Sequence, residues 1–592
     1  MKKNIIISVL TFAVSGLVTT SCSDFLDKEY DASLSQEKVF NNANDTRGFL
    51  ANIYTNLPDG FAPLTDDQFT GASRDCITDN AVTSWGLHYY TKVGSDGYTA
   101  ADHPLLGQWN VDLYGIRKCN QFMKNAKSSV IGNNASSDDE NHLYDRNIAE
   151  ARLLRAIFHF DLICWFGDCP IVTEVFEVTS DMNIHRTPAA DALKWVADEC
   201  DAVINDLPFY YSNQAANWGR VSGATAYALK SRALLYRASA LNNPTNNATW
   251  WTDAAKAAKD FIEKNENAGK PYVLYTNSEH PTENVYYESV ADGRNNPEII
   301  LARSIWWTNQ IEKVFMPVGF TGAWSAAGRT NPTQNFVDCF EMANGKKIGD
   351  VGSGYDDQKP FDNRDPRLAQ LVFYQGMTWG RADEGEQRQL DMRSNDGEQG
   401  IDYTSSMGGT YTGYYLKKWV NNISCKQGNT FAHCWPIFRY TEILLNAAEA
   451  CCESDDLSGA MSYINQIRDR AGMPQYSGLT KDELRDRIRN ERRIELSFED
   501  HRMWDLRRWK AYDNAVANPS YDITNSSQQL LTLYGVRITG TPANPIFTYG
   551  LAESVNSRTF NKPKNYLFPI PNSEVKRAPN LGQNPGWEVA SE

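Results

Sequence analysis

The sequence predicts a mainly α-helical fold, a scaffold of tetratricopeptide-like helical hairpins carrying a loop-rich, irregular lobe with short strands. Three observations point there. Apolar residues recur at spacings of three and four through much of the first half and again near the end. Small residues, Ala224, Ala226, Ala228, Ala233 and Ala238, stand where paired helices would touch closely. The stretches between are rich in Gly, Asn, Asp, Ser and aromatics and contain only short strand-like runs.

In chain order, residues 45–57 form the first helical pattern, opened by an Asn/Asp cap and closed before Pro58. Residues 109–124 follow, with Trp109, Leu113, Ile116, Asn120 and Met123 on one face. Residues 147–166 are apolar almost all round, with Arg152, Arg155 and His159 in one narrow stripe, so this helix is expected to lie among other helices. Gly167 ends it and Pro170 prevents its continuation. Further helices are expected at 188–206, 222–241 and 251–265. After residue 435 come 436–452, with Ile437, Tyr440, Leu444, Ala448 and Cys451 on one face, then 457–471. Residues 481–490 and 491–510 read as one bent helix or two. Residues 60–104, 272–430 and 519–566 read as long loops, with strand-like runs at 298–302, 369–374 and 414–419. The scaffold is thus placed at about 40–265 and 435–510, and the loop-rich lobe at about 270–430 and 515–592, within a single domain over 37–592.

The first 21 residues read as a lipoprotein signal peptide. Lys2 and Lys3 make a positive start, residues 5–18 are largely apolar, and Thr19, Thr20 and Ser21 precede Cys22. Thr19 stands where such signals usually carry Leu. An apolar run of this length is too short to span about 30 Å of hydrocarbon as a permanent helix. Cys22 is the expected acylation site, and residues 22–36 form a polar tether with Asp24, Asp27 and Glu29. Each buried CH₂ of the acyl chains contributes about 0.8 kcal/mol, so several chains together give stable anchoring.

Without Lys2 and Lys3 the formal net charge moves from −15 to −17, which argues against nucleic acid and against electrostatic adhesion to anionic lipid. No second long apolar run exists, so membrane contact is expected through the lipid alone. Ten cysteines beyond Cys22 include no CxxC pair and no nearby His at zinc-finger spacing, so no structural metal site is expected. Export permits some of them to oxidise, but the sequence does not pair them. No cofactor is expected. Asp356 with Asp357, or Asp362 with Asp365, could offer oxygens to calcium, yet neither pair fits an EF-hand loop and both read as turns.

Four stretches carry a resemblance to a known family. They are Glu150-Ala-Arg-Leu-Leu-Arg-Ala-Ile-Phe-His-Phe-Asp-Leu, ending in Trp165-Phe-Gly-Asp-Cys-Pro; Asn331-Pro-Thr-Gln-Asn-Phe-Val-Asp-Cys-Phe-Glu-Met-Ala-Asn-Gly; Ile437-Phe-Arg-Tyr-Thr-Glu-Ile-Leu-Leu-Asn-Ala-Ala-Glu-Ala, with Ile464-Asn-Gln-Ile-Arg-Asp-Arg-Ala-Gly; and Glu491-Arg-Arg-Ile-Glu-Leu-Ser-Phe-Glu-Asp-His-Arg-Met-Trp-Asp-Leu-Arg-Arg-Trp. Pro569-Ile-Pro-Asn-Ser-Glu and Asn580-Leu-Gly-Gln-Asn-Pro-Gly close the set. In this order, behind a lipoprotein signal, they resemble the SusD/RagB family over nearly the whole chain. The resemblance implies four tetratricopeptide-like units with an irregular lobe. It also implies a non-catalytic, lipid-anchored protein on the outer-membrane surface, which binds oligosaccharide and passes it to a SusC-like TonB-dependent transporter.

The same motifs say little about the ligand site, because they lie on the scaffold. Arg152, Arg155, Glu491, Arg492, Glu495, Glu499, Arg502 and Asp505 read as paired charges that lock helices, with Glu499–Arg502 and Asp505–Arg508 at i,i+3. Trp504 and Trp509 read as core.

Sixteen Trp and twenty-nine Tyr leave a surplus in the polar loops. A pyranose has an apolar C–H face and a rim of hydroxyls, so a site for it needs an aromatic platform with planar polar side chains. The first candidate is 74–98, with Arg74, Asp79, Asn80, Trp85, Tyr89 and Tyr90. The second is Trp306 and Trp307, and the third Trp324 with Arg329. Two other functions compete. A glycan-cleaving enzyme would need two carboxylates across a cleft, for which Asp66 with Asp67 or Asp75 with Asp79 would serve, but Gly-x-Ser-x-Gly, HExxH and a P-loop are all absent. A tetratricopeptide-like adaptor would bind a peptide or protein instead.

Overall fold

The computed structural model describes residues 35–587, apart from 63–70, 86–88, 103–104, 106, 133–142, 178, 277–295, 304–305, 396 and 406–407. Cys22 and the signal peptide, and Asp66 with Asp67, lie outside the described residues.

Helices dominate. They are α1 (Ala43–Ile53), α2 (Gly107–Asn125), α3 (Leu143–Phe166), α4 (Ala189–Val203), α5 (Gly223–Ala238), α6 (Ala248–Asn267), α7 (Tyr440–Glu453), α8 (Leu457–Ala471), α9 (Lys481–Glu495) and α10 (Arg502–Arg508). Their starts are set locally. Asn42 accepts from the backbone N–H of Asn44 and Asp45 at 2.8 and 3.1 Å to cap α1. Ser222 with Thr225, and Thr480 with Glu483, form reciprocal capping boxes on α5 and α9. The stack runs α2–α3–α4–α5–α6–α7–α8, each helix packing on the next, with α9 also against α7. This is the order a row of helical hairpins takes. Helix α3 is the buried spine, with sixteen of its side chains enclosed, which is why its sequence is apolar nearly all round. Its His159 is fully enclosed, and burial lowers the imidazole pKa to about 4.

The lobe is built from two-stranded pieces. Strand β1 (Ala81–Thr83) pairs antiparallel with β4 (Thr330–Pro332), β2 (Ile299–Ala302) with β8 (Pro436–Arg439), and β3 (Trp306–Thr308) with β7 (Phe431–His433). Strand β5 (Val372–Phe373) pairs with β6 (Tyr415–Leu416), and β9 (Tyr534–Thr541) with β10 (Asn544–Leu551). One cluster of buried apolar side chains runs from Phe40 to Trp587 and includes scaffold and lobe alike. No helix of the described residues is long and apolar enough to cross a membrane.

Several expectations need correction. Residues 436–439 are strand, because Phe438 and Arg439 pair with Leu301 and Ile299, and helix begins only at Tyr440. Residues 369–374 are the end of a short helix, Arg367–Leu371, followed by β5. Residues 491–510 are not one helix. Phe498 and Asp500 take positive φ between α9 and α10, so Glu499 and Arg502 do not share a helical face. Residues 519–566, read as loop, contain the eight-residue strands β9 and β10. The ten cysteines among the described residues are free thiols, nine of them buried.

The paired charges form a lattice around α9. Glu495 is met by Arg439 at 3.1 Å and Arg367 at 3.2 Å, and also by Arg470. Glu499 takes Lys418 at 2.5 Å and Arg439 at 2.8 Å. Glu449 on α7 accepts from both terminal nitrogens of Arg508, at 2.5 and 2.7 Å, and Asp505–Arg508 closes at 2.8 Å. Arg152 and Arg155 on α3 both hold Glu199 of α4, at 2.8 Å. Burial raises the Glu449 carboxyl, but Arg508 and Arg492 outweigh it and hold the pKa at about 2.

Candidate functional site

The 74–98 segment is more ordered than a loop. It contains a 3-10 turn, Arg74–Ile77, strand β1 and a short helix, Tyr89–Gly94. Most of its polar candidates turn inward. Asp79 is fully buried, with Arg502 Nε and Nη2 donating to its two oxygens at 2.9 and 2.8 Å and Arg493 Nη2 2.8 Å away. Burial pushes this carboxyl up, but the two guanidiniums prevail and its pKa lies below the usual range. Asn80 donates to Asp75 at 3.0 Å and accepts from Arg493 at 2.7 Å. Asp75 also accepts from the Phe498 backbone at 2.9 Å, and burial raises its pKa to about 6. Arg74 pairs with Asp500 at 2.5 Å beside the Trp165 ring, and Tyr90 is fully buried next to it.

Asp79, Asn80, Arg74 and Tyr90 are therefore corrected from ligand candidates to parts of the lattice, since charged groups of the protein hold the first three and Tyr90 is fully buried. The Asp75–Asp79 pair lies inside the body and does not face a cleft. Tyr89 is half-buried at the helix start, and His88 lies outside the described residues. Trp324 is corrected likewise, being 7% exposed and packed into the main core. Trp306 and Trp307 pair through their backbones with His433 and Ala432; their side chains lie outside the described residues. Among the calcium candidates, the Asp365 carboxylate is taken by Arg367 at 2.7 Å, and Asp356 accepts from the Gln358 backbone at 2.9 Å.

Trp85 remains at the surface, and the fold brings Arg329 up behind it. The chain leaves β1 at Ser84, whose N–H donates to the Arg329 carbonyl at 3.2 Å, so Trp85 emerges beside Arg329 at the start of β4. The Arg329 guanidinium carbon lies 3.8 Å from the centre of the Trp85 ring. Trp85 is 45% exposed. Arg329 is itself mostly covered, and its guanidinium makes no hydrogen bond or ion pair among the described residues. Burial lowers its pKa to about 10, against a smaller opposite effect of Tyr411. Gly328 sets this geometry. It takes φ +54°, and a Cβ there would stand 2.2 Å from the Tyr415 ring.

Tyr411 lies close to the Arg329 guanidinium, with Tyr403 in the same hairpin, and neither falls in a candidate stretch. The Tyr411 N–H donates to Asn331 Oδ1 at 3.1 Å, and Tyr403 donates to Glu553 at 2.9 Å. Both are half-buried. The signal available was the aromatic spacing of Tyr403, Tyr411, Tyr414 and Tyr415, in a stretch otherwise made of Gly, Ser, Thr and Met407. The surface thus offers one broad apolar ring, backed by a mostly covered cation, with the Tyr411 phenol at the margin. Such a face suits a ligand with a flat apolar side and a hydroxyl rim.

Comparison with known proteins agrees with the fold. The sequence profile of the SusD family matches residues 297–587, and one described as "Starch-binding associating with outer membrane" matches residues 24–235. SusD-like protein P2 of Formosa agariphila is 24% identical over 609 residues, which cover 98% of this chain and 99% of that one. SusD-like protein P25 of the same organism is 24% identical over 526 residues, covering 85% and 89%. A crystal structure of a SusD-like protein from Bacteroides fragilis NCTC 9343 superposes with a TM-score of 0.72 at 25% identity, over 93% of this chain and 98% of that one. Another from that strain, described as a SusD-like carbohydrate binding protein, gives 0.68 at 24% identity, over 92% and 100%.

Proposed function

This chain belongs to the SusD family, and from that premise we propose that it is a non-catalytic glycan-binding protein of the outer-membrane surface. In this reading the acylated Cys22 keeps it in the membrane, the helical scaffold packs on a SusC-like TonB-dependent transporter, and the lobe offers oligosaccharide to that transporter. The matched descriptions, which name starch binding, carbohydrate binding and the outer membrane, support it.

The observation that carries the reading is the Trp85–Arg329 stack. An indole nearly half exposed on a folded surface, backed by a guanidinium without a partner among the described residues, is built to receive something. A pyranose C–H face on the free side of Trp85 contributes about 1–2 kcal/mol, while Arg329 on the opposite face holds the ring in place. Two or three such contacts give micromolar to millimolar affinity, so release to a transporter stays fast.

Trp85→Ala tests it. Because Trp85 is largely outside the core, the melting temperature should stay within about 1 °C. Retardation in glycan-containing native gels should weaken about tenfold, matching the loss of one aromatic face. Unchanged retardation would place the site elsewhere. If peptides bind and no glycan of a broad panel does, the adaptor reading replaces this one. If reducing ends appear on incubation with a glycan, the non-catalytic part fails.

A further inference from the structure

We propose that the cleft between the α4–α5 connection and β2 is a second carbohydrate subsite, one that takes a single neutral pyranose ring. The proposal rests on the glycan reading above but uses none of the residues of the Trp85 face.

The cleft holds about 110 Å³, less than the roughly 150 Å³ cavity that encloses benzene in a model protein, and it opens to solvent, so it takes one face or edge of a six-membered ring without enclosing it. Its walls are aromatic. Tyr210 is 39% exposed and stands edge-on to the buried Tyr272, ring centres 5.6 Å apart at 85°. Trp218, half-buried, closes the short helix Gln214–Asn217, its N–H donating to the Gln214 carbonyl at 2.8 Å. Gly219 at φ +79° then turns the chain so that Arg220 lines the cleft beside Trp218.

The polar rim decides the ligand class. Arg220 donates through Nε to Glu150 at 2.7 Å, and through its other nitrogens to Asn217 and Asn147 at 3.2 Å each. Its charge is thus met by a buried carboxylate, and an incoming anion would find no uncompensated cation. What remains is neutral. The Trp218 indole N–H and the Gln214 amide oxygen have no protein partner among the described residues, one a donor and one an acceptor. Aromatic rings set in a largely polar lining of neutral donors and acceptors suit a hydroxylated ring better than an acidic or a wholly apolar group. The sequence hid this site, because Tyr210, Tyr211 and Trp218 fall in a linker between two strong helices, where no motif or period marks them.

The test labels the protein with 5-fluorotryptophan and assigns the Trp218 and Trp85 fluorine signals with Trp218→Phe and Trp85→Phe. Neutral malto-, cello-, xylo-, manno- and galacto-oligosaccharides, a galacturonate series and a tyrosine-rich peptide are then titrated. The expected result is that one neutral series shifts the Trp218 signal saturably, and still does so in Trp85→Ala. Tyr210→Ala should weaken that shift by about tenfold with an unchanged melt. If the neutral series moves Trp85 and leaves Trp218 fixed, the second subsite is refuted while the glycan reading stands. If no sugar moves either signal, both fall. A Trp218 response to galacturonate or peptide alone overturns the ligand class.

Discussion

Replacing Asp79 by Asn separates a structural carboxylate from a ligand-binding one. Asp79 has no exposed surface and sits between Arg502 of α10 and Arg493 of α9, at 2.8 to 2.9 Å. Asn keeps the shape, removes the charge and turns an N–H₂ toward donors. Two guanidiniums are then left buried with less than their counter-charge. Breaking a buried pair from one side costs about 3–5 kcal/mol, most of it the desolvation of the orphaned partner.

Unfolding entropy of about 2.1 cal/mol/K per residue gives a body of this size about 1.2 kcal/mol/K, so the melt should fall by about 3–4 °C. Thermal melts and urea titrations, each with glycan binding measured well below the transition, make the assay. Affinity should change less than about twofold, since Asp79 lies beneath the surface that carries Trp85. A variant that melts like the parent but loses the glycan would show the carboxylate to be a ligand group and refute the burial argument.

Two further outcomes follow from buried carboxyls with displaced pKa values. Glu449 sits at about 2, held down by Arg508 and Arg492 against burial, so its stabilisation is complete above the unfolded value of about 4.5 and is lost as pH falls through about 2. At about 1.4 kcal/mol per unit of displacement, Glu449→Gln should cost about 3 kcal/mol at pH 7 and nothing near pH 2; urea titrations across that range check it, and a constant difference would contradict it. Asp112 moves the other way, raised by burial and by Asp161, with Gln108 Nε2 donating to both at 3.1 and 2.7 Å. The folded protein keeps a proton that the unfolded chain releases above about pH 3.8, so the pair costs stability as pH rises, and Asp112→Asn should melt higher than the parent at pH 7 and level with it below pH 4. A variant that melts lower at pH 7 would mean that an ionised pair is useful there.

The helices were legible because burial imposes a period on sequence. Residues 457–471 were found with the same bounds, and α3 gained only one turn at its start, at Leu143. The hairpin β9–β10 was missed although Tyr534, Val536 and Ile538 alternate inward about an exposed Arg537, because Gly and Thr in the same segment gave it the composition of a loop. Strands of two or three residues, such as β5 and β6, are too short to show any alternation. Asp79 and Asn80 misled for another reason. Their residue types suit a sugar, and what disqualifies them is partners more than four hundred positions later, a pairing no local pattern reports. Trp85 and Arg329 were each legible as a residue, whereas their stacking depends on the β1–β4 register.

That register explains why family and ligand are read from different residues. Strand β1 is three residues long and has little ladder of its own, so its position is fixed largely by Asp75, Asp79 and Asn80 reaching α9, α10 and Phe498. Apolar packing alone would hold such a short strand at the right depth but would tolerate sliding. A two-pronged Arg–carboxylate contact sets distance and angle together. The residues that make these contacts on the helical side, Arg493 and Arg502, lie in the Glu491–Trp509 motif that marks the family. Trp85 rides on the positioned strands and faces outward with Arg329 stacked behind it, so the exposed ring can change without disturbing the lattice. A motif search therefore finds the support, and only the geometry built on that support shows the face proposed to meet a sugar.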